Sequence, residues 1–201
     1  MKIAVIGATG TIGTEVANKL QSMGHDVVRV GSKSGDYQLD ITSLEQIKRF
    51  YEDNPALDAV VSAAGGASFK KLENLEPEDN QIAINSKLLG QINLVLIGQH
   101  YLNENGSFTL TSGVMMDDPI EFGSSAAMAN GGIASFVKSA SIELKNNLRI
   151  NNVSPNVITE SMDKYGDFFK GFTSVSLSKV ANAYIKSVEG KQTGETYKVY
   201  D

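Results

Sequence analysis

The feature that most constrains this chain is a glycine-rich turn near its start. Ile3–Ile6 is an unbroken apolar run, followed by Gly7-Ala8-Thr9-Gly10-Thr11-Ile12-Gly13. A helical pattern then runs from Thr11 to Met23 and stops at Gly24. Gly7 permits a tight turn, Gly10 lets phosphate oxygens approach the backbone, and Gly13 lets the helix pack close to the sheet. The opening of such a helix presents free N–H groups and a positive dipole end, which suit a pyrophosphate. Glycine spacing alone is a weak signal; the strand before it and the helix after it give it force. Gly7, Thr9, Gly10, Thr11, Ile12 and Gly13 are therefore candidate nucleotide contacts.

The rest of the chain repeats the pattern of short apolar runs between longer helical stretches. Val27, Val28 and Val30, then Ala59–Val61, Phe108–Leu110, Ile150–Val153 and Glu195–Val199 read as strands. Helices are predicted from Leu44 to before Pro55, over roughly 78–101 and 124–146, and over Leu177–Val188. Strands that are apolar throughout and alternate with helices imply a parallel sheet covered on both faces.

Composition narrows the function classes. The chain has 201 residues, enough for one domain with a full core, and the sequence shows no repeat or linker. Residues 1–201 are thus expected to form one domain. Eighteen basic against 23 acidic residues give a net charge of -5, a poor match to nucleic acid or an anionic membrane. No apolar run is long enough to cross a bilayer, and the run at Ile3–Ile6 is too short for a signal peptide. The expected location is cytoplasmic. The absence of cysteine excludes disulfides and thiolate chemistry. With only His25 and His100, no histidine triad or zinc cluster can be assembled, and no metal site is expected. Asp117-Asp118 before Pro119 read as a solvated turn in a loop over the site.

The second strand runs into Arg29-Val30-Gly31-Ser32-Lys33-Ser34-Gly35, and no acid appears before Asp36. A site built for NAD carries a carboxylate near here for the ribose 2′-hydroxyl. Ser32 and Lys33 could instead hold a 2′-phosphate, so NADP(H) is expected in preference to NAD(H).

Further segments, taken in order, carry a resemblance. Asp40-Ile41, Ser62-Ala63-Ala64-Gly65-Gly66, Asn85 followed by Gly90, Thr111-Ser112, Asn152-Val153-Ser154-Pro155 with Thr159, and Thr193-Gly194-Glu195 all occur in sequence. With the glycine turn, they resemble the short-chain dehydrogenase/reductase superfamily over nearly the whole chain. The resemblance implies a three-layer α/β Rossmann fold, a doubly wound parallel sheet of about seven strands with helices on both faces. It implies that Asp40 and Ile41 contact the adenine and that Ala64, Gly65 and Gly66 line the nucleotide. Pro155 and Thr159 would contact the nicotinamide carboxamide. Ser112 would be the catalytic serine and Asn85 the asparagine of the fourth helix. The glycine usual after the proline is Asn156 here.

The superfamily's general acid is a tyrosine, with a lysine four residues later. Phe136, Lys138, Ser141, Ile142 and Glu143 resemble the downstream part of that helix, and counting back places the motif at Ala126 and Asn130. Ala126 has no proton to give; Asn130 can hydrogen-bond a ribose but brings no charge. The chain thus resembles a short, divergent subgroup. Tyr165 or Ser112 is the candidate proton donor to a substrate oxygen, and Lys87 is a further positive charge near the site.

Two functions follow. One is an NADP(H)-dependent oxidoreductase acting on a small carbonyl or alcohol with a non-standard proton donor. The other is an inactive NADP(H)-binding sensor. A weaker third is an isomerase or lyase using the nucleotide as scaffold. The resemblance also implies a homodimer or homotetramer through the two long helices. Ala126, Ala127, Ala129, Gly131 and Gly132 would permit close approach to a partner helix or to the cofactor.

Overall fold

In the computed structural model, which describes residues 1–201, strands β1 (Lys2–Ile6), β2 (Asp26–Gly31), β3 (Tyr37–Gln38), β4 (Ala59–Ser62), β5 (Ser107–Thr111), β6 (Arg149–Pro155) and β7 (Thr196–Val199) form one sheet. Every neighbouring pair is parallel, in the order β3-β2-β1-β4-β5-β6-β7. This is the doubly wound α/β sheet expected from the sequence. The order reverses between β1 and β4, so a crevice opens beyond their C-terminal ends.

Alternation along each strand sends side chains to two separate cores. Ile3 and Val5 pack with Val16 and Leu20 of α1 (Thr11–Ser22) and Val180 and Tyr184 of α7 (Leu177–Glu189). Ala4 and Ile6 pack on the other face against α2 (Leu44–Asp53), α4 (Gln91–Gly98) and α5 (Ser124–Ala140), through Phe50, Leu94 and Ile133. Buried polar pairs tie these layers to β5. Thr109 Oγ1 meets Ser187 Oγ at 2.6 Å and Thr111 Oγ1 meets the Tyr184 hydroxyl at 2.6 Å. The Gln91 amide brackets Thr111, donating to its carbonyl at 2.9 Å and accepting from its N–H at 2.8 Å. The end of β5, just before Ser112, is thereby fixed from both sides.

Three elements differ from the sequence expectation. β3 is a two-residue edge strand, too short to carry a period. The stretch expected as one helix over 78–101 is α3 (Pro77–Ile82), a π-helical segment Ala83–Gly90, and then α4. Helix α5 ends at Ala140 rather than near residue 145. Residues 141–143 form a turn, and Asn146 and Asn147, with left-handed φ values of 56° and 54°, then lead the chain into β6. No helix is long and apolar enough to cross a membrane.

Candidate active site

The β1–α1 turn has the geometry that its glycines require. Gly7 has φ +84°, and a Cβ there would lie 2.7 Å from the Ala63 carbonyl oxygen. A Cβ on Gly13 would fall 2.1 Å from the Gly7 carbonyl oxygen, so the helix can approach this closely only with glycine. Gly10 is the N-cap of α1 and no side chain caps the helix; its first turn holds no acid. Thr11, Ile12 and Gly13 therefore present N–H groups without intrahelical acceptors. Thr9 stands beside the end of β2, where a Cβ on Gly31 would meet its Oγ1 at 2.9 Å.

From this turn a cavity of about 750 Å³ extends along the C-terminal ends of β1, β4, β5 and β6. Thr11, Ile12, Gly65, Ser112 and Pro155 border it, and Tyr165 closes it from the segment after β6. These are the expected site residues that the fold brings together. That closing segment carries the short helix α6 (Met162–Tyr165) and contributes Lys164, Phe168 and Phe169 as well. Phe168 packs edge-on against Phe122, and the Lys164 ammonium lies 4.9 Å from the Tyr165 ring centre.

Ser112 is buried and oriented. Asn152 of β6 donates from Nδ2 to its Oγ at 2.7 Å and accepts its N–H on Oδ1 at 3.0 Å. With Asn152 occupying a lone pair, the serine keeps its proton, whose only other neighbour within bonding reach is the soft sulfur of Met116 at 3.6 Å. The role of Asn152 was missed in the sequence, where it reads as one more strand residue. Asn156, in place of the usual glycine, is a clamp. Its amide donates to the carbonyls of Thr173 at 2.8 Å and Tyr200 at 2.9 Å and accepts from Val157 N–H at 2.8 Å.

Other expected residues lie elsewhere. Asn85 is exposed, outside the cavity, and its Oδ1 accepts from Gln81 at 2.8 Å. Two residues on, Lys87 borders the cavity, its stem packed on Gly65, which has φ +115° and no room for a Cβ. Lys87 is half-buried and keeps accessible surface where it borders the cavity. Burial alone pushes its pKa down to about 8. Asn130 is fully buried behind Gly113, both atoms of its amide lacking a partner, and it does not reach the cavity. Ala126 is buried on the same helix. Ser32 and Lys33 are exposed at the tip after β2. Asp36 turns back to accept the Arg29 N–H at 2.9 Å. Asp40 is exposed, with Oδ1 accepting from the Thr42 N–H and hydroxyl, and Ile41 is buried against Gly90. Ala64 is half-buried, and Gly66 N–H donates to Ser86 Oγ at 3.1 Å. Thr159 is exposed and bonds Ser174. Asp117, in the loop after β5, is engaged by the Tyr200 hydroxyl at 2.5 Å and by Lys198 at 2.9 Å, and these contacts lower its pKa.

A family model described as enoyl-(acyl carrier protein) reductase matches residues 12–192. The chain belongs to the short-chain dehydrogenase/reductase superfamily. Among solved structures, the protein lin1944 from Listeria innocua is 54% identical with a TM-score of 0.98, each chain covered over 100% of its length. A small-chain dehydrogenase in complex with NADPH is 25% identical with a TM-score of 0.89, over 99% of this chain and 96% of that one. A curated relative, the uncharacterized protein YwnB of Bacillus subtilis, is 37% identical over 70 residues, and the match spans 33% of each chain.

Proposed function

We propose that this superfamily member binds NADP(H) across the β1–β4 crevice and moves a hydride between the nicotinamide and a small carbonyl or alcohol. The single observation that carries the reading is the shared cavity. It runs from the uncapped start of α1 to a serine hydroxyl whose proton is free to be given. The residues present fit a dinucleotide. Gly10 at the N-cap sets no Cβ before a diphosphate, and the N–H groups of Thr11 to Gly13 have no intrahelical acceptors. Asp40 and Ile41 would flank the adenine, Ser32 and Lys33 the 2′-phosphate, and Ala64, Gly65, Gly66, Pro155 and Thr159 the remainder. The NADPH-bound relative supports a nicotinamide dinucleotide as the ligand.

The cofactor supplies the hydride. Ser112, held by Asn152, donates to the substrate oxygen and stabilises the charge that develops there. Tyr165 is the alternative donor, from the segment that closes the cavity. Phe168 and Phe169 of that segment add apolar lining beside both donors.

The second reading, a sensor that binds NADP(H) without turnover, is favoured by Ala126 and by Asn130, whose amide is sealed behind Gly113. NADPH carrying deuterium at the transferring position separates the two. Label should pass to at least one carbonyl in a broad panel if the chain is an oxidoreductase. Binding without any transfer makes it a sensor, and no thermal shift with millimolar NADPH or NADH sinks both. A homodimer or homotetramer is proposed through α4 and α5, where Leu96 and Met128 are exposed; light scattering on a sizing column tests it.

A further inference from the structure

We propose that the cavity takes an apolar, aromatic-sized carbonyl compound that bears a carboxylate, and that Lys87 is the cation that pairs with it. This deepens the oxidoreductase reading, on which it relies for the carbonyl; the carboxylate partner stands on the cavity itself.

Lys87 stands in the π-helical segment and borders the cavity. It takes part in none of the five ion pairs of the protein. No carboxylate acts on it, burial being the sole influence on its ammonium. A half-buried ammonium that borders a cavity and has no protein carboxylate beside it can take its partner from a bound anion. With its pKa at about 8 it is mostly charged at neutral pH, so the missing partner is an anion.

The rest of the lining fixes the ligand's other features. Eleven of the 20 lining residues are hydrophobic and none is an acid, so a cationic compound finds no carboxylate there. Phe69, Phe168 and Phe169 offer faces for a ring or a branched chain. Lys164 also borders the cavity, but it is exposed and lies over the Tyr165 ring, so water screens it. Ser112 supplies the one oriented hydroxyl, and it suits the carbonyl oxygen. Lys87 and Ser112 together would read a carboxylate and a carbonyl on one apolar frame.

The test is calorimetric titration at pH 7 with phenylpyruvate and with phenylacetone, which lacks the carboxylate, each with and without NADP⁺. Wild-type protein should bind phenylpyruvate at least about tenfold more tightly, which corresponds to about 1.4 kcal/mol. Lys87→Met should erase that preference, and Lys87→Arg should retain most of it. Equal binding of the two compounds by wild type, or a preference that survives in Lys87→Met, overturns the proposal. So does a tenfold loss of NADPH affinity in Lys87→Met, which would assign the lysine to the nucleotide. If wild type fails to bind NADPH yet keeps a Lys87-dependent preference for phenylpyruvate, the oxidoreductase reading falls and the carboxylate site remains.

Discussion

Ser112 and Lys87 divide the chemistry of the cavity at the scale of single residues. Ser112 accepts from Asn152 and keeps its proton, so replacing it by Ala should lower turnover by about a hundredfold or more while NADPH affinity stays unchanged. Steady-state kinetics beside a nucleotide titration would show the split. Lys87 has the opposite signature. Its ammonium is less stable in the folded chain than in the unfolded one, where its pKa is 10.5 rather than about 8. The charged form is therefore penalised below pH 8, by an upper limit of about 3 kcal/mol, and the penalty fades as pH rises from 8 to 10.5. Lys87→Met should raise Tm at pH 7, with a gain that shrinks steadily toward pH 10.5; a gain independent of pH would mean that the lysine is not desolvated. Residue identity was legible in the sequence at both positions, but orientation was not. Nothing in Asn152 announces that its amide faces Ser112 across the β5–β6 pair, because that contact joins residues 40 apart.

At the scale of elements, the sequence was most legible where its period was strong. The strands other than β3, and α1, α2 and α7, follow apolar spacing, and they form close to where that spacing places them. The stretch over 83–90 is apolar at near-helical intervals too, yet it winds as a π-helix. One wider turn shifts which side chain faces inward, and here Lys87 borders the cavity while Asn85 faces water. The segment packs closely on Gly65 through Lys87 and on Ile41 through Gly90, contacts that local spacing does not encode. The end of β6 holds a comparable surprise. Asn156 replaces a glycine and ties β6 to the segment at Thr173 and to Tyr200. Asn156→Gly removes those bonds and adds backbone freedom, and should cost about 2 kcal/mol in a urea titration. Hydrogen exchange should rise first in residues 157–175; a uniform rise across the sheet would argue against a local clamp.

At the scale of the whole molecule, fold class was legible because it rests on alternation, and the glycine turn located the crevice before any contact was known. The distribution of charge was not legible. A net charge of -5 describes the exterior, with Glu160, Asp163 and Asp167 exposed on the closing segment. The cavity inside them carries lysines and no acid. A polyanionic ligand must therefore approach against the field of the molecule before it meets groups that attract it. Dissolved ions shorten the reach of that repulsion, to about 8 Å at physiological ionic strength, but they hardly touch a contact sealed from water. Stopped-flow mixing with NADPH should consequently give an encounter rate that climbs as sodium chloride is added, the reverse of what electrostatic steering produces. A rate that drops with salt would mean that attraction begins outside the entrance. Capture in this protein is then paced by the medium, whereas retention is decided by the interior.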